Sequence, residues 1–252
     1  MDVILYVAAG AALAGFVQGL SGFGFALTAM ALWAWVLEPR LAAALAVFGA
    51  LVGQLLAVFT VRRGFSLANV LPFIAGGLAG LPLGLWLLPR LDVPLFKAVL
   101  GLILVVVCPL MFFADRLPRI RRGGRLGDAL SGGIGGVMGG LGGFTGVVPT
   151  LWCTLRGFDK DGQRAVIQNF NLTMQVVTFA SYLATGIVDA SMLPMFAVVA
   201  PAMLIPVLAG AKLYIGISER AFRQVVLGVL TACGVALLGA SAPVILGRLA
   251  GS

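Results

Sequence analysis

The sequence predicts an all-α polytopic membrane protein built from two inverted repeats, each a broken, re-entrant helical hairpin followed by three transmembrane helices. Three observations carry this. First, 61% of the 252 residues are hydrophobic and 10% are charged, against about 25% charged in a soluble domain. No water-facing surface can be built from so few charges, which excludes a soluble enzyme, a secreted module and a disordered chain. Second, the apolar runs are long and lack strand alternation, which favours helices over a barrel. Third, a glycine-rich break occurs inside an apolar stretch twice, at corresponding places in the two halves.

The elements follow in order. Residues 3–37 form one apolar stretch, interrupted at Gly19-Leu20-Ser21-Gly22-Phe23-Gly24. Arms of about 15 residues, or roughly 22 Å, fall short of the ~30 Å hydrocarbon core. Spans at 41–61, 67–88 and 94–114 complete a first repeat, 1–114, and a basic linker, 115–126, separates it from the second. The second repeat, 127–252, has a stretch at 127–155 broken at Gly139 to Gly143, then spans at 165–185, 191–214 and 221–246. An ungapped shift of 121 superposes Gly15 on Gly136, Gly19 on Gly140, Gly22 on Gly143, Phe23 on Phe144 and Gln54 on Gln175. With a small gap, Leu100-Gly101 falls on Leu227-Gly228. A glutamine pair in the same register as the glycines reads as duplication.

Charge sets the orientation. If each broken stretch enters and returns as a hairpin, thirteen Lys and Arg lie on one side and four on the other; if it crosses once, the split is nine to eight. The positive-inside rule selects the hairpin, with both termini non-cytoplasmic. The net charge of +8 then serves topology and anionic headgroups, and no nucleic-acid partner is expected. Met1-Asp2 opens without a basic region, so no cleavable leader is expected. Small-residue faces such as Gly76–Gly80–Gly84 suit a homo-oligomer contact or packing inside the chain equally.

The breaks are where chemistry is expected. A helix that restarts in mid-membrane exposes unsatisfied N–H groups and a partial positive charge, which hydrocarbon tolerates only around a polar cavity. Two tips, one per repeat, would aim the N-termini near Phe25 and Gly146 at one point and form an anion site without a buried cation. The candidate substrate-binding residues are Ser21, Gly22, Phe23 and Gly24 at the first tip and Gly143, Phe144 and Thr145 at the second. To these are added the intramembrane amides Gln54, Asn169, Asn171 and Gln175, which donate hydrogen bonds without burying a full charge. Asn171 and Gln175, four apart, share a helix face. Hydrogen bonding between helices is the competing role for each amide.

Other chemistry is excluded. The nine acids all lie in loops or near span ends, so no deep proton relay or sodium cage is expected. There is no histidine, and Cys108, Cys153 and Cys233 are isolated; no metal and no cofactor are expected. Gly19-Leu20-Ser21-Gly22 matches the GxSG pattern of intramembrane serine proteases. With no histidine and no mid-span lysine to activate Ser21, the chain is not expected to be an enzyme.

The second break, Gly136-Val137-Met138-Gly139-Gly140-Leu141-Gly142-Gly143-Phe144-Thr145-Gly146-Val147-Val148-Pro149, and its first copy, Gly15 to Phe25, resemble the doubled motif of the sulfite exporter TauE/SafE family of membrane permeases. The first copy departs by having Phe25 where a further glycine is common, and by lacking the proline. The resemblance implies export of a small sulfur-containing anion, sulfite or a C2 organosulfonate such as sulfoacetate. The expected mechanism is alternating access, one half rocking against the other. The residues alone leave open an anion channel or an uptake permease on the same scaffold, or a structural or assembly protein that transports nothing.

Overall fold

The computed structural model describes residues 2–22, 24–60, 67–114, 118–120, 123–213 and 219–250. Among them the regular structure is entirely helical. The first half contains α1 (Val3–Ser21), α2 (Phe25–Trp33), α3 (Pro39–Thr60), α4 (Leu67–Leu87) and α5 (Val93–Phe112). The second contains α6 (Gly124–Gly142), α7 (Val147–Arg156), α8 (Lys160–Ala184), α9 (Leu193–Leu213) and α10 (Glu219–Ala250).

Both breaks fall at the anticipated glycines. Helix α1 stops because Gly22 turns to φ 76° and α6 because Gly143 turns to φ 81°, a left-handed conformation open to glycine. The arms, however, are unequal: 19 and 9 residues in the first half, 19 and 10 in the second. The long arm is therefore about 28 Å, against the roughly 22 Å expected from an even division. The two arms of each stretch fold back on one another. The Tyr6 hydroxyl of α1 donates to the Leu32 carbonyl of α2 at 2.9 Å, and at the corresponding end of the second pair Arg156 of α7 meets Asp128 of α6 at 2.6 Å.

Among the described residues, six stretches are long and apolar enough to cross a membrane: Val3–Ser21, Pro39–Ala57, Leu67–Arg90, Val93–Phe112, Ala190–Lys212 and Gln224–Arg248. Exposed apolar side chains such as Leu71, Leu102, Ile205 and Val225 cover the outside, as a lipid-facing surface requires. The chain is a multi-pass membrane protein. Helix α8 is absent from the six because its amides lower its hydropathy, although it was read as a span.

The helices pair reciprocally between halves. Helix α1 packs most extensively on α9, and its counterpart α6 on α4, the counterpart of α9; α5 packs on α10 and α3 on α8. Exchanging the halves maps this set onto itself. Glycines make the seams: a Cβ on Gly15 would lie 2.9 Å from the Met203 carbonyl oxygen of α9, and one on its repeat mate Gly136 would lie 2.0 Å from that of Gly77 in α4. The Gly76–Gly80–Gly84 face is spent in the same way, against Ala129, Gly133 and Val137 of α6, so inside the chain. The α5–α10 crossing is made by a glycine from each helix. Gly101 and Gly234 each lie against the other's carbonyl oxygen, at 2.9 and 3.0 Å from the position of a Cβ, whereas Gly228 faces open space. Gly101 thus packs against Gly234 and not against Gly228, the residue aligned with it in sequence.

A polar tie closes the α5–α10 pair at one end. Asp92 caps α5 by accepting from the Leu95 N–H at 3.0 Å, and also accepts from the Arg248 guanidinium. The Arg248 hydrogen bond, then the cap, hold this carboxyl below its usual range. A depressed carboxyl contributes stability above its unfolded pKa, about 4, and loses it as the pH falls through the folded value. Melts of the wild type and Arg248→Gln should differ slightly at pH 7, the gap closing at low pH and in high salt, since the pair is exposed.

Candidate functional site

Each left-handed glycine turns its carbonyl out of its helix and into the protein interior, where it needs a donor. The two repeats supply the same one. Gln54 of α3 donates from Nε2 to the Gly22 oxygen at 3.1 Å, and Gln175 of α8 donates from Nε2 to the Gly143 oxygen at 2.8 Å. The bond is duplicated under the 121-residue shift. One N–H of each of Gln54 and Gln175, anticipated as donors to an anion, is thus used to brace a tip.

The braced tips meet across one small cavity. Of the anticipated residues, Gly24, Gln54, Gly143, Phe144, Thr145, Asn171 and Gln175 line it. So do Phe25, Ala26 and Leu27, the first turn of α2, and Gly146 and Val147 at the start of α7. Neither helix has a side-chain cap. The first helical hydrogen bond of α2 is that of the Thr28 N–H to the Gly24 oxygen at 3.0 Å, so the N–H groups of Phe25, Ala26 and Leu27 precede the helix's own hydrogen-bond ladder. No charged side chain lines the cavity. Its polarity comes from two helix N-termini and from amides.

Three anticipated residues do not line it. Ser21 back-bonds from Oγ to the Val17 oxygen at 2.7 Å, one turn earlier in α1, and Gly22 is held outside the wall by Gln54. Asn169 donates from Nδ2 to the Ala165 oxygen of its own helix at 2.7 Å. It sits two residues from Asn171, on another face of α8. Phe23 lies outside the described residues.

One residue was missed. Gln18 of α1 is 4% exposed, lines the cavity, and donates from Nε2 to the Ala50 oxygen at 3.3 Å. Its repeat mate is Gly139, so the repeat comparison that selected Gln54 and Gln175 passed over it. The signal was there, an amide inside an apolar stretch four residues before the break. The halves are complementary rather than identical at this point: the mates of Asn171 and Thr145 are Ala50 and Gly24. Gly53 leaves the room for Gln18, since a Cβ there would lie 2.1 Å from Nε2.

Helix α8 carries a buried polar stripe past the cavity. Gln168, Asn171, Gln175 and Thr178 lie on one face, and none is more than 4% exposed. About three turns of α8 thus present hydrogen-bonding groups in a mainly apolar interior, whereas α3 presents Val47, Ala50, Gln54 and Ala57 at the same places.

The family described as Sulfite exporter TauE/SafE matches residues 7–237. The chain belongs to this family. The matched region takes in both tips, both bracing glutamines and every residue that lines the cavity. No curated protein and no solved structure matches the chain. Members of this family are membrane permeases, consistent with a transporter of small sulfur anions rather than an enzyme.

Proposed function

We propose that the protein exports a small sulfur-containing anion, sulfite or a C2 organosulfonate such as sulfoacetate, across the plasma membrane by alternating access at the cavity between the two tips. The observation that carries this is the meeting of two helix N-termini without side-chain caps, one from each half, in a buried cavity that no charged side chain lines. Such a site holds an anion through backbone dipoles and can release it, because no counter-ion locks it in place. Export needs no coupled ion: moving one negative charge out of a negative interior gains about 2.3 kcal/mol per 100 mV.

In this reading the arms α1/α2 and α6/α7 are re-entrant hairpins, the repeats 1–114 and 127–252 are inverted, and both termini are non-cytoplasmic. The moving bodies are not the repeats themselves. Each hairpin is seated on a helix of the other half through glycine contacts, so rocking one half against the other would tear both seams. Bodies that keep the seams intact are α1, α2 and α9 moving against α6, α7 and α4.

The test is flux of sulfite, sulfoacetate, sulfate, acetate and chloride in proteoliposomes at controlled voltage. Saturable sulfite or sulfonate currents, absent with acetate, are expected; equal flux of every anion, without saturation, points to a channel, and none from folded protein overturns transport. Gln175→Leu releases the Gly143 carbonyl from its brace and should lower the flux about tenfold, the worth of one buried hydrogen bond left unmade. Unchanged flux would remove Gln175 from the site.

A further inference from the structure

We propose that the ligand of this cavity is a small anion that also carries a hydrogen-bond donor: a protonated oxyanion, or a sulfonate bearing a hydroxyl or amino group. This rests on the anion-site reading above and narrows its ligand to hydrogensulfite or a C2 sulfonate that keeps an N–H or O–H, which leaves out deprotonated sulfoacetate. The argument concerns which atom of each amide is left free. Gln175 donates from Nε2 to the Gly143 oxygen at 2.8 Å and approaches Thr145 Oγ1 at 3.5 Å. Gln18 donates from Nε2 to the Ala50 oxygen. A carbonyl oxygen only accepts, so flipping either amide would set two acceptors against each other. The orientation of both side chains is therefore fixed by chemistry, and Oε1 is the atom left over in each. No donor among the described residues reaches Gln18 Oε1 or Gln175 Oε1, although the two side chains are only 4% and 3% exposed and both line the cavity.

The donors are fixed by the same reasoning. Thr145 receives from Gln175, so its own hydrogen goes to Asn171 Oδ1 at 3.0 Å, which leaves Asn171 Nδ2 as the group free to donate. The wall thus offers donors, from Asn171 and the first turn of α2, together with two carboxamide oxygens that accept. A fully deprotonated oxyanion engages the donors but sets its lone pairs against those oxygens. A ligand with a negative end and one N–H or O–H satisfies both kinds of group, and a buried acceptor left unmatched is costly.

The experiment uses two probes of equal charge and nearly equal shape, sulfamate and methanesulfonate, which differ by an amino group in place of a methyl. Each is titrated by calorimetry into the full chain in detergent micelles. Sulfamate should bind about tenfold more tightly, and the ratio should fall towards one in Gln18→Met, which keeps the length of the side chain and removes its acceptor. Equal binding of the two probes to the wild type would overturn the donor requirement and leave the anion site standing. A preference that survives in both Gln18→Met and Gln175→Met would overturn the assignment to these oxygens. Binding of neither probe to wild-type protein that elutes as a single folded species would overturn the anion site, and this inference with it. If a variant fails to fold, the wild-type ratio still decides.

Discussion

Gly80→Val should prevent the chain from reaching a single folded species, at a cost above about 3 kcal/mol. A Cβ on Gly80 would sit 2.0 Å from the Gly133 carbonyl oxygen, and its neighbours on the same face are as tight, Gly76 at 1.8 Å from the Ala129 oxygen and Gly84 at 2.2 Å from the Val137 oxygen. These obstacles are backbone atoms of a facing helix and have no rotamer to move into. The helices must separate, and with them goes the packing that lets α4 and α6 approach closely in lipid, where dispersion rather than hydrophobic burial drives association. Because α4 seats the second hairpin, its displacement also opens a wall of the cavity. Gly228→Ala and Gly239→Ala are the controls: nothing lies within 4 Å of a Cβ at either, so each should be neutral or stabilise by up to about 1 kcal/mol, as alanine does in a helix. Melting temperature and size-exclusion profile in detergent measure all three. A wild-type melt for Gly80→Val would refute the seam.

Arg156→Gln should cost about 3 kcal/mol, and adding Asp128→Asn should recover most of it. Asp128 is 5% exposed and takes Arg156 Nη1 on both oxygens, at 2.6 and 2.7 Å, and the Trp152 Nε1–H at 2.8 Å. Removing the guanidinium leaves a buried carboxylate with one neutral donor, which is far worse than lacking the pair altogether. The double variant removes the charge while asparagine keeps an oxygen for Trp152. Thermal melts of the two variants check this; equal melts for Arg156→Gln and wild type would show the pair to be idle. The pair ties the base of the α6/α7 arms, a task that the Tyr6 hydroxyl and Leu32 carbonyl perform in the first half.

These two cases mark where the sequence was legible. Arg156 was read as one of the cytoplasmic positive charges, and Asp128 as an acid near a span end. Both statements concern position along the chain, and neither could say that the two meet, since a buried pair is visible only when the arms are folded together. Gly76–Gly80–Gly84 was equally good for an oligomer or an internal contact, because a small-residue stripe states that something comes close without stating what. Gln54 and Gln175 were found through the repeat, yet the direction of their hydrogen bonds follows from the turned-out carbonyls of Gly22 and Gly143. Gln18 was hidden by having a glycine as its mate.

What the sequence determined by itself is local and periodic: that the chain is helical and lives in a membrane, where the apolar stretches break, that the plan occurs twice, and which family it belongs to. Hydropathy, glycine and repetition are properties of a residue and its chain neighbours, so they can be read without a fold. What only the tertiary structure decided is non-local. It seated each hairpin on the opposite half, packed Gly234 against Gly101, divided α1 from α2 and α6 from α7 unequally, and chose which atom of each buried amide was satisfied. Close packing and hydrogen bonding are relations between residues far apart in the chain, and the partner of a buried polar atom or of a bare glycine face exists only once those residues are brought together.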